Sequence, residues 1–362
     1  MISCAIALGS ELRATSHSGH CGHHCFAGVV IAFLALGLPG CAGRLGPEVL
    51  TSAAALPGIK PIQIYVATTR ERQSPSENVF TADRASALNF AKFSVSIPPG
   101  HKPGEIELPA NPPDLQTSFA VFDQLTLSET DFRKSVAPQG VARRKKHNVL
   151  IFVHGFNNSF QESLFRLAQL QADAKIDAIP ILFSWPSQGQ IAAYAADQDA
   201  AGYSRDYLAA LLTMLALSPD VGDILLVGHS MGGMLTVDTL RQLRAEGKNQ
   251  VLARLGRVVL AAPDINAQTF RAQVQSIGPL KPPMLVLVSM DDGALRVSSL
   301  LGGGTPRAGA IDVNNPVVQE AALKAKVQVV DISLSNRIQL RPLFASNNDP
   351  LSACKCAPLT EP

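Results

Sequence analysis

Ile224-Leu225-Leu226-Val227-Gly228-His229-Ser230-Met231-Gly232-Gly233 is an apolar run that breaks into the pattern G-x-S-x-G. The apolar residues ahead of Gly228 read as a buried strand and the pattern after Ser230 reads as a helix, so the serine stands at the apex of a sharp strand-to-helix turn. Such a turn needs glycine on both sides, because a side chain at Gly228 or Gly232 would crowd neighbouring backbone. It lifts the serine hydroxyl above the sheet and aims the positive end of the next helix at it, which favours the anion that develops during acyl transfer. Ser230 is therefore the expected nucleophile.

Outward from this turn, strand and helix patterns alternate. Strands are expected at 149–153, 180–184, 258–262, 284–289 and 327–332. Helices are expected from Ser159-Phe160-Gln161-Glu162, which reads as a capping box, over about 199–217, and over 231–246 with a stop at Gly247. Alternation of this kind predicts an α/β fold with a mostly parallel central sheet and helices on both faces. Two further strands, 62–67 and 91–97, precede it, and the Pro- and Gly-bearing stretch 100–118 should run over the surface.

The chain has 362 residues, 46% hydrophobic and 17% charged, with a formal net charge of +2. That is ordinary globular composition without the basic excess of nucleic-acid binding, and a nucleic-acid partner is excluded. The one basic run, 143–146, reads as a solvated loop. Residues 26–38 form an apolar run too short to span a bilayer as a helix and ending in Leu38-Pro39-Gly40-Cys41. The expected layout is a signal peptide over 1–40, a flexible tether over 41–57, a catalytic domain over 58–347 and a tail over 348–362. Cys4, Cys21 and Cys25 would leave with the leader, and Cys354 and Cys356 are too close for an unstrained bridge. His20-Cys21-Gly22-His23-His24-Cys25 has metal-friendly side chains but lies in that removable segment, so neither a metal nor a cofactor is expected.

His154-Gly155-Phe156-Asn157 follows the strand 149–153, the place from which these folds supply a second oxyanion donor, so the amides of Phe156 and Met231 are the expected pair. His154 and His229 read as structural histidines. The acid candidates sit at strand ends: Asp292 first, then Asp291 and Asp264, each of which could equally cap the next element. Trp185 and Asp197 read either as packing and loop-anchoring residues or as cleft residues. All eight histidines lie at or before position 229, whereas a triad in this fold runs nucleophile, acid, then histidine.

The blocks Tyr65-Val66-Ala67-Thr68-Thr69-Arg70, His154-Gly155-Phe156-Asn157, Phe183-Ser184-Trp185-Pro186-Ser187, Tyr194 with Asp197, Gly228 to Gly232, Ala262-Pro263-Asp264-Ile265 and Asp292-Gly293-Ala294-Leu295 resemble, in order, a bacterial α/β-hydrolase family of unknown function. The resemblance implies a serine hydrolase of esterase or lipase type acting on small-molecule or lipid esters, with Asp292 as the triad acid. It also implies a histidine where this chain has Arg341, in Arg341-Pro342-Leu343-Phe344-Ala345-Ser346-Asn347. Arginine stays protonated and cannot take a proton from Ser230. The leader in turn resembles a bacterial lipoprotein signal, which implies cleavage before Cys41, lipidation of its thiol and, with Ala42 next, an outer-membrane anchor.

Overall fold

The computed structural model describes residues 30–31, 44–53, 60–109, 113–137, 146–290, 292–301, 304–333 and 338–339. Cys41, Asp291 and Arg341 lie outside the described residues, together with nearly all of the leader and the tail.

Nine strands make one sheet: β1 (Ile62–Arg72), β2 (Phe80–Ser96), β3 (Ala120–Leu127), β4 (His147–Val153), β5 (Ile179–Ser184), β6 (Val221–His229), β7 (Leu255–Ala261), β8 (Leu285–Val288) and β9 (Gln328–Asp331), in the order β9-β8-β7-β6-β4-β5-β1-β2-β3. From β9 to β1 every neighbour is parallel; β2 and β3 continue the sheet antiparallel. This is the expected α/β-hydrolase architecture. Its parallel strands read as unbroken apolar runs because both faces are covered. Val149, Ile151 and Val153 of β4 pack with Leu208, Leu212, Leu235 and Leu240 on one face. Leu150 and Phe152, on the alternate positions, pack with Phe160, Leu164 and Leu167 on the other.

The helices that cover these faces are α1 (Glu129–Ser135), α2 (Phe160–Ala174), α3 (Tyr194–Ala216), α4 (Met231–Ala245), α5 (Ala267–Ile277), α6 (Gly293–Leu301) and α7 (Pro316–Ala325). The capping box of α2 forms as expected: Glu162 N donates to Ser159 Oγ at 3.2 Å and Ser159 N to Glu162 Oε2 at 2.7 Å. Gly247 ends α4 at φ +69, where its glycine lets Lys248 N reach back to Leu243 O at 2.9 Å.

Several elements differ from the sequence expectation. β1 and β2 are longer than 62–67 and 91–97 and pair as a hairpin with register shifts near Arg70; their outer halves carry too few apolar residues to announce a strand. α3 starts at Tyr194, five residues ahead of the expected Asp199, because Tyr194, Asp197 and Ala200 are all buried against the body. Residues 44–53, within the stretch expected as a tether, lie on the domain: Val49 and Leu50 are buried and Ala53 N donates to Val121 O at 2.8 Å. Among the described residues no helix is long and apolar enough to cross a membrane.

Candidate active site

Parallel strands bring their C-terminal ends to one edge, so His154, Trp185, Ser230, Asp264 and Asp292 collect at the same end of the sheet although they span much of the chain. Ser230 joins β6 to α4 at φ 51, ψ −119, a region that costs a non-glycine residue about 1–3 kcal/mol and persists only where surroundings over-determine it. Here they do. Ser230 N donates to Ala261 O at 2.9 Å, and Ser230 O accepts from Gly233 N at 2.9 Å, Met234 N at 3.3 Å and Asp264 N at 3.2 Å. Glycine is required around it: a Cβ on Gly232 would stand 2.3 Å from His154 O, and one on Gly228 would stand 2.5 Å from Thr236 Oγ1. Gly155 admits the neighbouring loop in the same way, since a Cβ there would lie 2.8 Å from His229 Nδ1 and 3.1 Å from Ser230 Cβ.

Met231 N opens α4, where backbone N–H groups have no intrahelical partner. Phe156 lies in the loop that Gly155 brings up to Ser230, its ring edge-on to Tyr194 with centroids 5.2 Å apart. Both amides therefore sit on the segments that meet at Ser230.

The loop is held by groups that the sequence does not advertise as a unit. Arg70, 2% exposed, donates Nε to Ser184 Oγ at 3.0 Å, Nη1 to Ser187 O at 3.1 Å and Thr81 O at 3.2 Å, and Nη2 to Asn158 O at 3.0 Å. Burial pulls its guanidinium down to about 10, still protonated at neutral pH. Asp197 is a loop anchor: its carboxylate accepts from Ser187 Oγ at 2.5 Å and Gln188 N at 2.7 Å, and burial raises its pKa. Trp185 is fully buried and stacks on His154, so it packs and does not line a cleft. The Thr-Thr-Arg, Ser-Trp-Pro-Ser and Asp197 blocks thus form one scaffold under the His154 to Asn158 loop.

Neither nearby histidine is placed as a free base. His154 directs Nδ1 to Gly155 O at 2.9 Å and Nε2 to Trp185 O at 3.1 Å and Ser184 Oγ at 3.3 Å. Burial, then the charge of Arg70, lowers its pKa to about 3. His229 is lowered to about 4 by burial and by Arg166.

The two described acid candidates differ in environment. Asp264, 2% exposed, accepts from Tyr194 OH at 2.9 Å and Ser298 Oγ at 2.8 Å and lies 3.3 Å from Arg307 Nε. Arg307 comes from the glycine-rich loop before α7, which no motif singles out. Asp292 is also buried; its Oδ1 accepts from Leu295 N at 3.1 Å, the bond of a helix cap, at the head of α6. Two open clefts of about 600 and 660 Å³ meet at Thr126 on the antiparallel side of the sheet, and no residue of the Ser230 turn lines either.

Residues 128–348 match the family described as "Alpha/beta hydrolase of unknown function (DUF900)". No curated protein matches the chain. Among solved structures it is similar to esterase Est22 (13% identity over 79% of this chain and 74% of that one, TM-score 0.33). It is also similar to the siderophore hydrolase EstB from Aspergillus nidulans (12% identity, 80% and 92%, TM-score 0.35). A third is brefeldin A esterase, a bacterial homologue of human hormone sensitive lipase (11% identity, 78% and 71%, TM-score 0.31).

Proposed function

The chain belongs to that family of alpha/beta hydrolases, and from this premise we propose that it is a serine hydrolase acting on carboxylic esters, with Ser230 as nucleophile. The observation that carries the reading is the strained, four-times hydrogen-bonded backbone of Ser230 at the head of α4. A purely structural serine has no need of such a conformation. In this reading the Ser230 oxygen bonds to the ester carbonyl carbon, the new oxyanion accepts from Met231 N and Phe156 N, the carbon–oxygen bond to the alcohol breaks with the Ser230 proton ending on the departing alcohol oxygen, and water hydrolyses the acyl-serine to the acid and free Ser230. Asp292, at the end of the strand next to β7, takes the role of acid. Lipidation at Cys41 would hold the protein on the periplasmic side of the outer membrane and present the site to small or lipid esters.

A second reading is favoured by the histidines: His154 is buried and His229 partly so, both are neutral at pH 7 with pKa values lowered to about 3 and about 4, and the chain has none after Ser230. On it the protein is a hydrolase fold that binds rather than turns over, with Arg341 in place of the base.

Hydrolysis of short p-nitrophenyl esters separates the two. The enzyme reading requires turnover by the natural chain that Ser230→Ala abolishes, together with labelling of Ser230 by a phosphonate probe. If instead the natural chain is inert and Arg341→His gains about two decades or more, lost again on adding Ser230→Ala, the binding reading replaces it.

A further inference from the structure

The loop from His154 to Asn158 is gripped from two sides. Arg70 holds Asn158 O from the buried side. From the outer side comes Arg44, which donates Nη2 to Asn157 O at 2.6 Å and to Asn157 Oδ1 at 2.8 Å, with Nε 3.3 Å from Glu162 Oε1. The second oxygen of Glu162 closes the capping box of α2. One guanidinium therefore ties the turn to the helix that follows it.

The residue it holds is unusual. Asn157 has φ +60, the left-handed conformation that asparagine adopts more readily than other non-glycine residues and that turns the chain sharply after Phe156. The residue immediately before it is Phe156, whose N–H is the second oxyanion donor of the proposed reaction. That N–H belongs to the peptide between Gly155 and Phe156, two peptide units ahead of the Asn157 carbonyl that Arg44 holds, so a change in the dihedrals of Asn157 would reorient the turn that carries the donor.

The seat for Arg44 is built. Val49 and Leu50 plug the segment into the core beside Phe119 and Val121, and Gln124 Nε2 donates to Leu50 O at 3.1 Å. On the other side, Gly189 leaves a lane: a Cβ there would stand 2.2 Å from Arg44 Nη1. Gly189 has φ +70, a backbone conformation that disfavours a side chain there.

We propose that Arg44 is a positioning residue for the reaction at Ser230, acting through Asn157 to hold the Phe156 amide toward the developing oxyanion. The proposal rests on the reading of Ser230 as nucleophile. Because an exposed ion pair contributes little to global stability, the effect should appear in the loop and in the chemistry and leave the melting point alone.

The test compares the full chain with Arg44→Ala and Arg44→Lys by amide hydrogen exchange, by the rate of Ser230 labelling with a fluorophosphonate, and by kcat and KM on p-nitrophenyl acetate. In Arg44→Ala, exchange of the Asn157 and Asn158 amides should rise about tenfold with the rest of the chain unchanged. Labelling and kcat should fall about tenfold with KM within about twofold. Arg44→Lys, which keeps one donor for Asn157 O, should recover part of both. Unchanged exchange at Asn157, or faster exchange with unchanged labelling, overturns the proposal, as does a loss of activity that comes with a lower melting point and general exchange. If the natural chain never labels at Ser230, the nucleophile reading is what has failed: the role of Arg44 in chemistry falls with it, while the exchange data still report whether Arg44 holds the loop.

Discussion

Trp185 lies flat on His154, ring centroids 4.9 Å apart and planes 12° from parallel, and its Nε1 donates to the His154 carbonyl at 2.8 Å. The stack seals the imidazole beneath the loop that meets Ser230. A histidine beside a G-x-S-x-G turn invites a catalytic role; this one is a structural pin.

His154 should therefore titrate as a stability group. Its folded pKa, about 3, lies below the unfolded value of about 6.5. The unfolded chain thus binds more protons between the two, and stability falls as pH drops from about 6.5 toward 3. His229 adds a slope of the same sign, since it is lowered to about 4. Urea denaturation at a series of pH values should show this slope lessened in His154→Gln; an unaltered slope would mean that His154 is not buried neutral.

His101 should do the opposite. Its Nδ1 lies 2.7 Å from Glu107 Oε2 and its Nε2 2.8 Å from Asp173 Oδ1, tying the loop after β2 to α2. Burial alone would lower its pKa, but bonds and charges of both carboxylates more than offset this and the net shift is upward. The folded chain holds that proton more tightly, so the contribution is complete below the unfolded value and disappears as pH rises through the raised one. Glu107 is lowered despite burial, chiefly by the Lys102 amide and His101, so its part is lost in acid. His101→Gln should flatten the alkaline side of the stability curve; retention of that limb would sink the assignment.

Gly232→Ala should cost about 1–3 kcal/mol or more, the usual penalty of overpacking. The new methyl would meet main-chain oxygens, His154 O at 2.3 Å and Val153 O at 2.4 Å, and neither can swing aside. A chemical-denaturation midpoint equal to that of the natural protein would show that the β4 and α4 ends are looser than described.

Asp292→Asn keeps the oxygen that caps Leu295 N and removes the charge. It should fold normally and lower Ser230-dependent hydrolysis by about two decades or more. Asp264→Asn should instead lose about 3–5 kcal/mol of stability, because it leaves Arg307 buried opposite a neutral partner. Reversed outcomes, with Asp264→Asn folded but inactive and Asp292→Asn fully active, would move the acid to Asp264.

Ser230, the glycines around it, the Ser159 capping box and the parallel strands were legible because each is a local pattern: four or five residues in a row carry the geometry. Asp197 and Trp185 stayed ambiguous on the sequence, since a residue at a strand end or in a first helical turn can face loop or cleft equally well. Arg44, Arg70 and Arg307 left no readable signal as a set. Their partners include carbonyls and carboxylates as far as 117 positions away in the chain, for Arg70 and Ser187, and nothing in the spacing of an arginine foretells which carbonyl it will meet.

Hydrophobic periodicity, glycine placement and capping chemistry act within a turn or a strand, so the order of elements, the sheet class and the serine at its turn follow from the chain read in one dimension. Which strand ends share an edge, which histidine is walled in by an indole, and which arginine grips the loop beside Ser230 depend on long-range packing. Burial against distant segments sets those contacts and the protonation of the groups within them, and only the folded arrangement supplies it.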